Sequence, residues 1–207
     1  MKVSDVQDSA LRRFGEGTGV SHFSSAMLVN WVNETQREFL IQTKLYYGTV
    51  GTTVTAGDRL CALATSMFLP VRCRFRGRLL GRASQEELDV YSHSKTWKNS
   101  QGSVMAWYPG ENFNKIAIYR RVAAGSGGTV VAEGYRTAAD LTAGNTPIWE
   151  PQFHPVLIEG LIMRMASEDA DNARNQIAYE RAEKRYNQYV ELALQKHGRM
   201  LTMERDK

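Results

Sequence analysis

Apolar residues near the beginning of the chain recur every three or four positions, which is the spacing of one face of a helix. A short helix is predicted through Val6 and Ala10. A longer helix is predicted to begin after a cap at Ser24 or Ser25 and to end near Lys44. The first part of the chain is therefore predicted to be a pair of helices.

The middle of the chain, from residue 49 to residue 139, is rich in threonine, valine, tyrosine, phenylalanine and glycine, which favour strands and turns. The segments with strand composition are 52–55, 71–75, 79–83, 116–119 and 130–132. Arg76 and Gly77 are predicted to form the turn between the second and third of these strands. The last two strands flank a glycine-rich segment, and this arrangement indicates a hairpin. A capping-box pattern at residues 84–87 predicts a short helix.

The last third of the chain returns to helical spacing. A helix is predicted to begin after His154, and a long helix is predicted from about Asn172 to His197. Gly198 is a typical stop signal for such a helix. Residues 199–207 are then predicted to form a flexible tail.

The order of these elements, a helix pair, a β-rich region and a second helix pair, predicts an α+β fold. The helix pairs can pack on each other only if the β-rich region leaves and returns at the same end. We therefore expect an antiparallel helical bundle, formed by the N- and C-terminal helices, with a central β-rich insertion. The predicted parts are 1–47 for the N-terminal helices, 48–150 for the insertion, 151–198 for the C-terminal helices and 199–207 for the tail.

The positive charge of the chain is concentrated in the β-rich region. Six arginines and no acidic residue lie between Arg59 and Gln85, so the rest of the chain sums to −2, because the net charge of the whole is +4. Five of these arginines occupy even positions, namely Arg72, Arg74, Arg76, Arg78 and Arg82. Alternation with apolar residues predicts that they share one face of a sheet. That face either binds an anionic partner or is a solvated face that protects a sheet edge.

Composition limits the classes of protein that remain. The 207 residues, of which 43% are hydrophobic and 23% charged, suit a globular chain of one domain or one domain with an elaboration. Cys61 and Cys73 are the two cysteines, and their apolar surroundings predict buried free thiols and a reducing site of synthesis. We expect no secretory signal and no membrane span, since no apolar run reaches the roughly 18 residues that a membrane helix needs.

Motifs for catalysis are missing from the sequence. The four histidines have no metal-ligand spacing to one another or to a cysteine, and the glycine-rich segments lack the neighbouring strand and lysine of a phosphate-binding loop. Acidic residues near Glu168 favour the start of a helix without any bound ion. We therefore predict no catalytic, cofactor-binding or metal-binding residue, and no enzyme activity.

Three stretches of the chain together resemble a known group of proteins. Residues 68–79 contain a Leu-Pro pair, a strand, a glycine turn and a second strand, and residues 84–88 add a short acidic helix. This order resembles the central part of head-to-tail adaptor proteins of tailed bacteriophages. Residues 28–38 are similar to their early helix, and residues 153–160, with the long helix that follows, are similar to their closing helices.

The resemblance implies a structural role in the virion, at the junction of head and tail, after assembly in the host cytoplasm. Such adaptors form a ring, here expected to be a dodecamer, beneath the portal protein. The ring extends the DNA channel and carries the tail or nozzle proteins, without cofactors, membrane contact or catalytic residues. The resemblance also implies that the C-terminal segment docks on the portal, and the matching residues here are Arg199, Met200, Leu201, Met203 and Arg205.

The contacts of the five arginines and the class of protein stay open. If the chain is an adaptor, the five arginines line the DNA channel or contact the portal or a neighbouring subunit. They would instead bind phosphates in a freestanding nucleic-acid-binding protein without sequence specificity. A third interpretation, an enzyme whose site is assembled from distant residues, has no motif in its favour.

Overall fold

The computed structural model describes residues 1–15, 22–64, 66–91, 98–109, 115–168 and 173–205. The chain divides into two compact units, which are described separately below. The helical unit consists of Met1–Tyr46 together with Thr137–Lys207, and the β unit is Tyr47–Arg136. Among the described residues there are five α-helices: α1 (Val3–Phe14), α2 (Ser25–Thr43), α3 (Gln85–Tyr91), α4 (Val156–Glu168) and α5 (Ala173–Arg205).

The helical unit is organised around α4. Nine of the thirteen residues of α4 are buried, and α1, α2 and α5 all pack against it. Charged groups on α4 are paired with its neighbours: Glu159 accepts two hydrogen bonds of 2.8 Å from Arg13 of α1. Arg164 reaches Glu34 and Glu38 of α2 at 2.7 Å each. A helix that is buried on most sides belongs in the centre of its unit.

The predicted antiparallel helical bundle of N- and C-terminal helices is wrong, although the α+β class is observed. The helices surround α4 instead of pairing side by side, and the segment before α4 takes part of the helix surface. The side-chain amide of Asn33 on α2 bonds both to the carbonyl oxygen of Leu141 at 3.1 Å and to its N–H at 2.7 Å. Gln36 similarly bonds to Ala139 and to the indole N–H of Trp149. In an antiparallel bundle, the side-chain amides of Asn33 and Gln36 would face apolar side chains of another helix and would lack hydrogen-bond partners.

Close packing of α2 on α4 depends on a glycine. A Cβ atom placed on Gly160 would overlap with the side chain of Thr35 on α2. The absence of a side chain at Gly160 therefore lets the two helices approach each other.

The long C-terminal helix does not stop where the sequence predicted. The backbone of α5 stays helical through Gly198 and ends at Arg205. The predicted stop at Gly198 is therefore wrong. One glycine costs a helix about 1 kcal/mol relative to alanine, and the arginine, methionine, leucine and glutamate that follow are good helix formers.

The described residues of the β unit form two four-stranded sheets and one pair of short strands. The first sheet has the order β1-β10-β3-β4, with β1 (Tyr47–Val54), β3 (Met67–Phe75), β4 (Arg78–Leu79) and β10 (Gly128–Arg136). The second sheet has the order β2-β8-β7-β5, with β2 (Leu60–Ala62), β5 (Gly81–Arg82), β7 (Ala106–Pro109) and β8 (Lys115–Tyr119). The parallel pair consists of β6 (Gln101–Gly102) and β9 (Arg121–Val122). Both sheets contribute side chains to one hydrophobic cluster.

The hairpin predicted between residues 116–119 and 130–132 is wrong. These segments belong to β8 and β10, which lie in different sheets. The separation along the chain is too long for a tight hairpin. β10 pairs instead with β1 along eight residues and with β3 on its other side. The predicted capping box, in contrast, is confirmed: Ser84 Oγ accepts from the N–H of Glu87 at 3.0 Å, and Glu87 accepts from the N–H of Ser84 at 2.7 Å.

Candidate functional site

The arginine-rich segment forms a tight hairpin in the first sheet. Arg76 and Gly77 both have positive φ angles, 49° and 79°, and they are the only two residues between the paired strands β3 and β4. Two consecutive positive φ angles are the mark of a type I′ turn, which glycine favours and which matches the twist of a hairpin. The turn predicted at these residues is confirmed.

The same turn divides the arginines between two faces. In the hairpin Arg74 pairs with Leu79, and Phe75 pairs with Arg78. Residues paired directly across two strands have their side chains on the same face. Arg72 and Arg74 therefore share one face with Leu79, whereas Arg78 lies on the face of Phe75. The expectation that all five arginines share one face is wrong, because a two-residue turn pairs an even position with an odd one.

Arg76 has a structural position in the turn. Its Nε and Nη2 atoms donate hydrogen bonds of 3.2 and 2.6 Å to the carbonyl oxygen of Gly127. Its guanidinium also lies 5.7 Å from the centre of the Phe75 ring. A Cβ atom on Gly128 would come within 2.9 Å of the Arg76 side chain, which would then have to shift. Arg76 thus connects the hairpin to the start of β10.

Arg82 belongs to the second sheet. It lies in β5, which pairs in parallel with β7, and its guanidinium is 5.6 Å from the centre of the Trp107 ring. Trp107 is 1% exposed, and Arg82 itself is exposed. The stacking holds the charge of Arg82 at the surface above a buried aromatic ring.

The face of the first sheet that carries Arg72 and Arg74, called the outer face below, also contains an acidic residue. Glu133 of β10 is paired across the strands with Arg72, and its carboxylate accepts from Arg74 Nε at 3.0 Å. Glu133 could not be found from the sequence around Arg74, since the two residues are 59 positions apart in the chain. Within the described part of the chain, Arg72 and Arg78 are exposed and have no ion-pair partner. The unbalanced charge of the outer face is therefore that of Arg72.

A bulge shapes the same face. Glu133 pairs with Arg72 but the next residue, Gly134, pairs with Pro70, so Val71 is an extra residue in β3. A Cβ atom on Gly134 would come within 2.7 Å of Pro70 Cα. Beyond the bulge, Tyr47 of β1 and Tyr135 of β10 pack edge to face with ring centres 5.4 Å apart. A bulge and a proline are typical of a strand edge that is protected from further pairing.

The two cysteines lie in the core of the β unit. Cys61 and Cys73 are both buried and free, as the sequence predicted. Burial raises the pKa of each thiol to about 12. Both thiols are therefore protonated at neutral pH, which makes them poor nucleophiles.

His154, which precedes the fourth helix, lies in the core of the helical unit. His154 is 1% exposed, and its Nε2 is 2.9 Å from the carbonyl oxygen of Trp149. Burial lowers the pKa of His154. The acidic break after Glu168 falls on residues that the structure does not describe. No cluster of metal-ligand residues occurs among the residues described, and no described helix is long and apolar enough to span a membrane.

The helical unit offers a second candidate surface. Phe153, Tyr189 and Leu192 line a mainly apolar pocket of about 410 Å³, at whose edge Lys196 forms an ion pair with Glu150. Leu192 is 54% exposed. The residues predicted to dock on the portal lie further along α5, on its last turns.

One of two comparisons with known proteins identifies a family. A search of curated proteins found no match. A family model described as SU10 adaptor protein matches residues 1–205, and so covers both units of the chain. This match agrees with the resemblance to phage head-to-tail adaptors that the sequence showed, and the chain belongs to the SU10 adaptor protein family.

Proposed function

We propose that this chain is a structural head-to-tail adaptor of a tailed phage. Copies of it form a ring of about twelve beneath the portal, which extends the DNA channel and carries the tail or nozzle proteins. The observation that supports this proposal most strongly is the family match along residues 1–205, because it spans the helices and both sheets together. The chain acts in this role by its shape and its contacts.

The end of α5 is the proposed contact with the portal. Arg199, Met200, Leu201, Met203 and Arg205 lie on its last turns. The end of a helix can enter a groove on another protein. The apolar pocket at Leu192 is a candidate for the contact between neighbouring copies, since it combines exposed apolar surface with a charged edge.

The exposed arginines are proposed to contact phosphates of the passing DNA, or else the portal or a neighbouring copy. Arg72 and Arg78 have no ion-pair partner among the described residues, which leaves both charges available. Contacts of this kind act on the phosphate backbone and do not read base sequence. They suit a channel through which the whole genome has to pass.

We expect no catalytic turnover and no cofactor. Three residues that often act as nucleophile or base, Cys61, Cys73 and His154, are buried in the structure. The pKa of both thiols is raised to about 12, so neither is ionised at neutral pH.

A mixture of the purified chain with its portal protein, imaged by negative-stain electron microscopy, tests the proposal. We expect a ring of adaptor density on one end of the portal. A control variant that stops after Gly198 lacks the proposed docking residues and is expected to leave the portal bare. If the complete chain forms no ring on the portal, the proposal is wrong.

A freestanding nucleic-acid-binding protein remains the second candidate, favoured by the exposed Arg72 and Arg78. A filter-binding titration of the isolated chain with duplex and single-stranded DNA at several salt concentrations separates the two candidates. Affinity that falls steeply with salt, in the absence of any portal, supports the second candidate. Little affinity of the isolated chain at physiological salt supports the adaptor.

A further inference from the structure

The first sheet has one strand edge that lacks the usual protection against pairing. Among the described strands, β1 is an outer strand of this sheet and pairs only with β10. Its eight residues include no charge, no proline and no bulge, which are the devices that normally keep an edge strand from recruiting another chain. The opposite side of the sheet has all of them, with Pro70, the bulge at Val71 and Arg72.

Three contacts show which N–H and C=O groups of β1 point toward β10 and which point toward its free edge. The carbonyl oxygen of Thr49 accepts a hydrogen bond of 2.8 Å from Arg136, and the N–H of Thr55 donates to Asp58 at 2.6 Å. The carbonyl oxygen of Val54, in contrast, faces Gly127 at the start of β10. Backbone groups alternate in direction along a strand, so the odd-numbered ones point away from β10.

Gly51 and Thr53 therefore present unpaired N–H and C=O groups. Both residues are exposed, and within the described part of the chain no hydrogen bond to these backbone groups is seen. Four backbone groups in a row can hold a short strand. The acceptor before them on this edge, at Thr49, is already occupied by Arg136.

We propose that β1 accepts an extended segment of one of the tail or nozzle proteins of the particle, which adds a fifth strand to the first sheet. The inference rests on the proposed ring. Two copies joined through β1 would form a closed two-fold pair, which cannot continue around a ring. Among the described strands, the other free edges at β2, β4, β5, β6 and β9 are two or three residues long and cannot supply a partner of matching length. The part of β3 that β4 leaves unpaired is interrupted by Pro70 and by the bulge at Val71.

The side chains of β1 define what the added segment looks like. Val50 and Thr52 are half-buried on the inner face, so the segment carries small apolar or β-branched residues toward the core. Thr49 and Thr53 are exposed on the outer face of β1, on either side of Gly51. Because Gly51 has no side chain, a gap lies between the two threonine side chains. An aromatic side chain of the added strand fills such a gap beside a glycine.

Hydrogen exchange measured at single residues tests the proposal. The amides of Gly51 and Thr53 are compared in the isolated chain, in the complex of the chain with its portal, and in complete virions. We expect fast exchange in the first two samples and exchange slowed at least about a hundredfold in virions. The amides of Val50 and Thr52, which point toward β10, serve as internal controls and exchange slowly in all three samples.

Each other result identifies a different occupant or none. Protection already present in the isolated chain overturns the proposal in favour of contacts between copies of this chain, and protection that first appears in the portal complex overturns it in favour of the portal or of neighbouring copies in the ring. Exchange that stays fast in virions overturns it altogether. Failure of the proposed ring is seen separately, as a portal complex without ring density in the electron micrographs.

A pair of variants gives a second test. Thr53→Pro removes an N–H that points away from β10, so the pairing of β1 with β10 is kept, whereas Thr53→Val retains the N–H and a β-branched side chain. We expect Thr53→Pro to lower retention of the distal tail proteins on portal–adaptor particles about tenfold, and Thr53→Val to leave it unchanged. Equal retention in both variants contradicts the proposal.

Discussion

The pKa of His154 connects one buried side chain to the acid stability of the helical unit. Its Nε2 lies 2.9 Å from the carbonyl oxygen of Trp149, so this nitrogen donates, and Nδ1 is buried with no hydrogen-bond partner among the residues that the structure describes. Burial disfavours the charged imidazolium and lowers the pKa of His154 from its ordinary value of 6.5. The buried imidazole is therefore neutral in the folded protein.

Stability is expected to fall as the pH drops below about 6.5. In that range the unfolded chain binds a proton at His154 that the folded chain does not, and protonation then favours unfolding. The contribution is complete above about pH 6.5 and is lost as the pH falls through the lowered pKa. Urea unfolding between about pH 7.5 and about pH 5 measures the slope, and His154→Gln, which cannot titrate, is expected to flatten it. An equal slope in the variant would assign the acid sensitivity to other groups.

The type I′ turn allows a matched test of backbone strain. A Cβ atom at Gly77 or at Gly81 meets nothing within 4 Å, but Gly77 has a φ of 79° whereas Gly81 lies in β5 without a positive φ. Gly77→Ala is therefore expected to lower the free energy of unfolding by about 1–2 kcal/mol, and Gly81→Ala to change it by less than about 0.5 kcal/mol. Denaturant titration of both variants measures the difference, and similar values for the two would remove the turn from the explanation.

The arginines show what could and could not be predicted from single residues. The turn at Arg76 and Gly77 follows from local chemistry, because glycine and a two-residue spacing indicate a hairpin. The same turn already implies that Arg74 and Arg78 lie on opposite faces, so the prediction of a common face was inconsistent with the predicted turn. The partner of Arg74, Glu133, depends on which distant strand pairs with β3 and has no local signal.

At the scale of elements, the contact of α2 with α4 depends on Gly160 and Thr35. Gly160→Ala adds a methyl group that overlaps with the Thr35 side chain, although alanine is the better helix former by about 1 kcal/mol. We expect the single variant to lose about 1–3 kcal/mol of stability through overpacking.

The same substitution in a Thr35→Ala background is the control. Removing the Thr35 methyl and hydroxyl groups makes room for the new Cβ, so Gly160→Ala is expected to cost much less there. Thermal or denaturant unfolding of the four proteins gives the coupling between the two positions. Additive effects would show that the helices adjust without contact at this site.

Helices were predicted more reliably than strand pairings for a physical reason. The bounds of α2 follow from local signals, since Ser24 accepts from the N–H of Met27 and Lys44 takes a left-handed conformation at the end. The pairing of β10 with β1 and β3 joins segments far apart in the chain, and the sequence of each strand is compatible with several partners. The predicted end of α5 was wrong because Gly198 is a typical stop signal, whereas the helix-forming residues after it outweigh the cost of a single glycine.

At the scale of the helical unit, the sequence held a signal for the centre that periodicity alone does not use. The segment from Val156 to Met163 is apolar at six of its eight positions, and in the structure it forms most of α4. A helix without a polar side cannot occupy the outside of a bundle. The helices arranged around it, and the polar ties from α2 to residues 139–149, could not be derived from helix spacing.

The charge of the whole molecule bears on how strongly the proposed ring would bind DNA. The net charge of +4 is small, and on the outer face Glu133 balances Arg74, which leaves Arg72 as the unpaired cation. One weak phosphate contact per copy gives the isolated chain little affinity at physiological salt. A ring makes many such contacts at once, and its affinity therefore depends far more steeply on salt.

Replacing Arg72 by serine tests this balance in the assembled ring. If Arg72 faces the DNA, Arg72→Ser lowers the slope of log affinity against log salt by about one for each phosphate that the ring no longer neutralises. Arg74→Ser removes a charge that is already paired with Glu133, so it is expected to change the slope less. The measurement is duplex binding by portal–adaptor rings between low and physiological salt. An unchanged slope in Arg72→Ser would show that this arginine contacts protein and not DNA. In that case, failure of ring assembly in the variant would identify a neighbouring copy as the partner, and failure of portal binding would identify the portal.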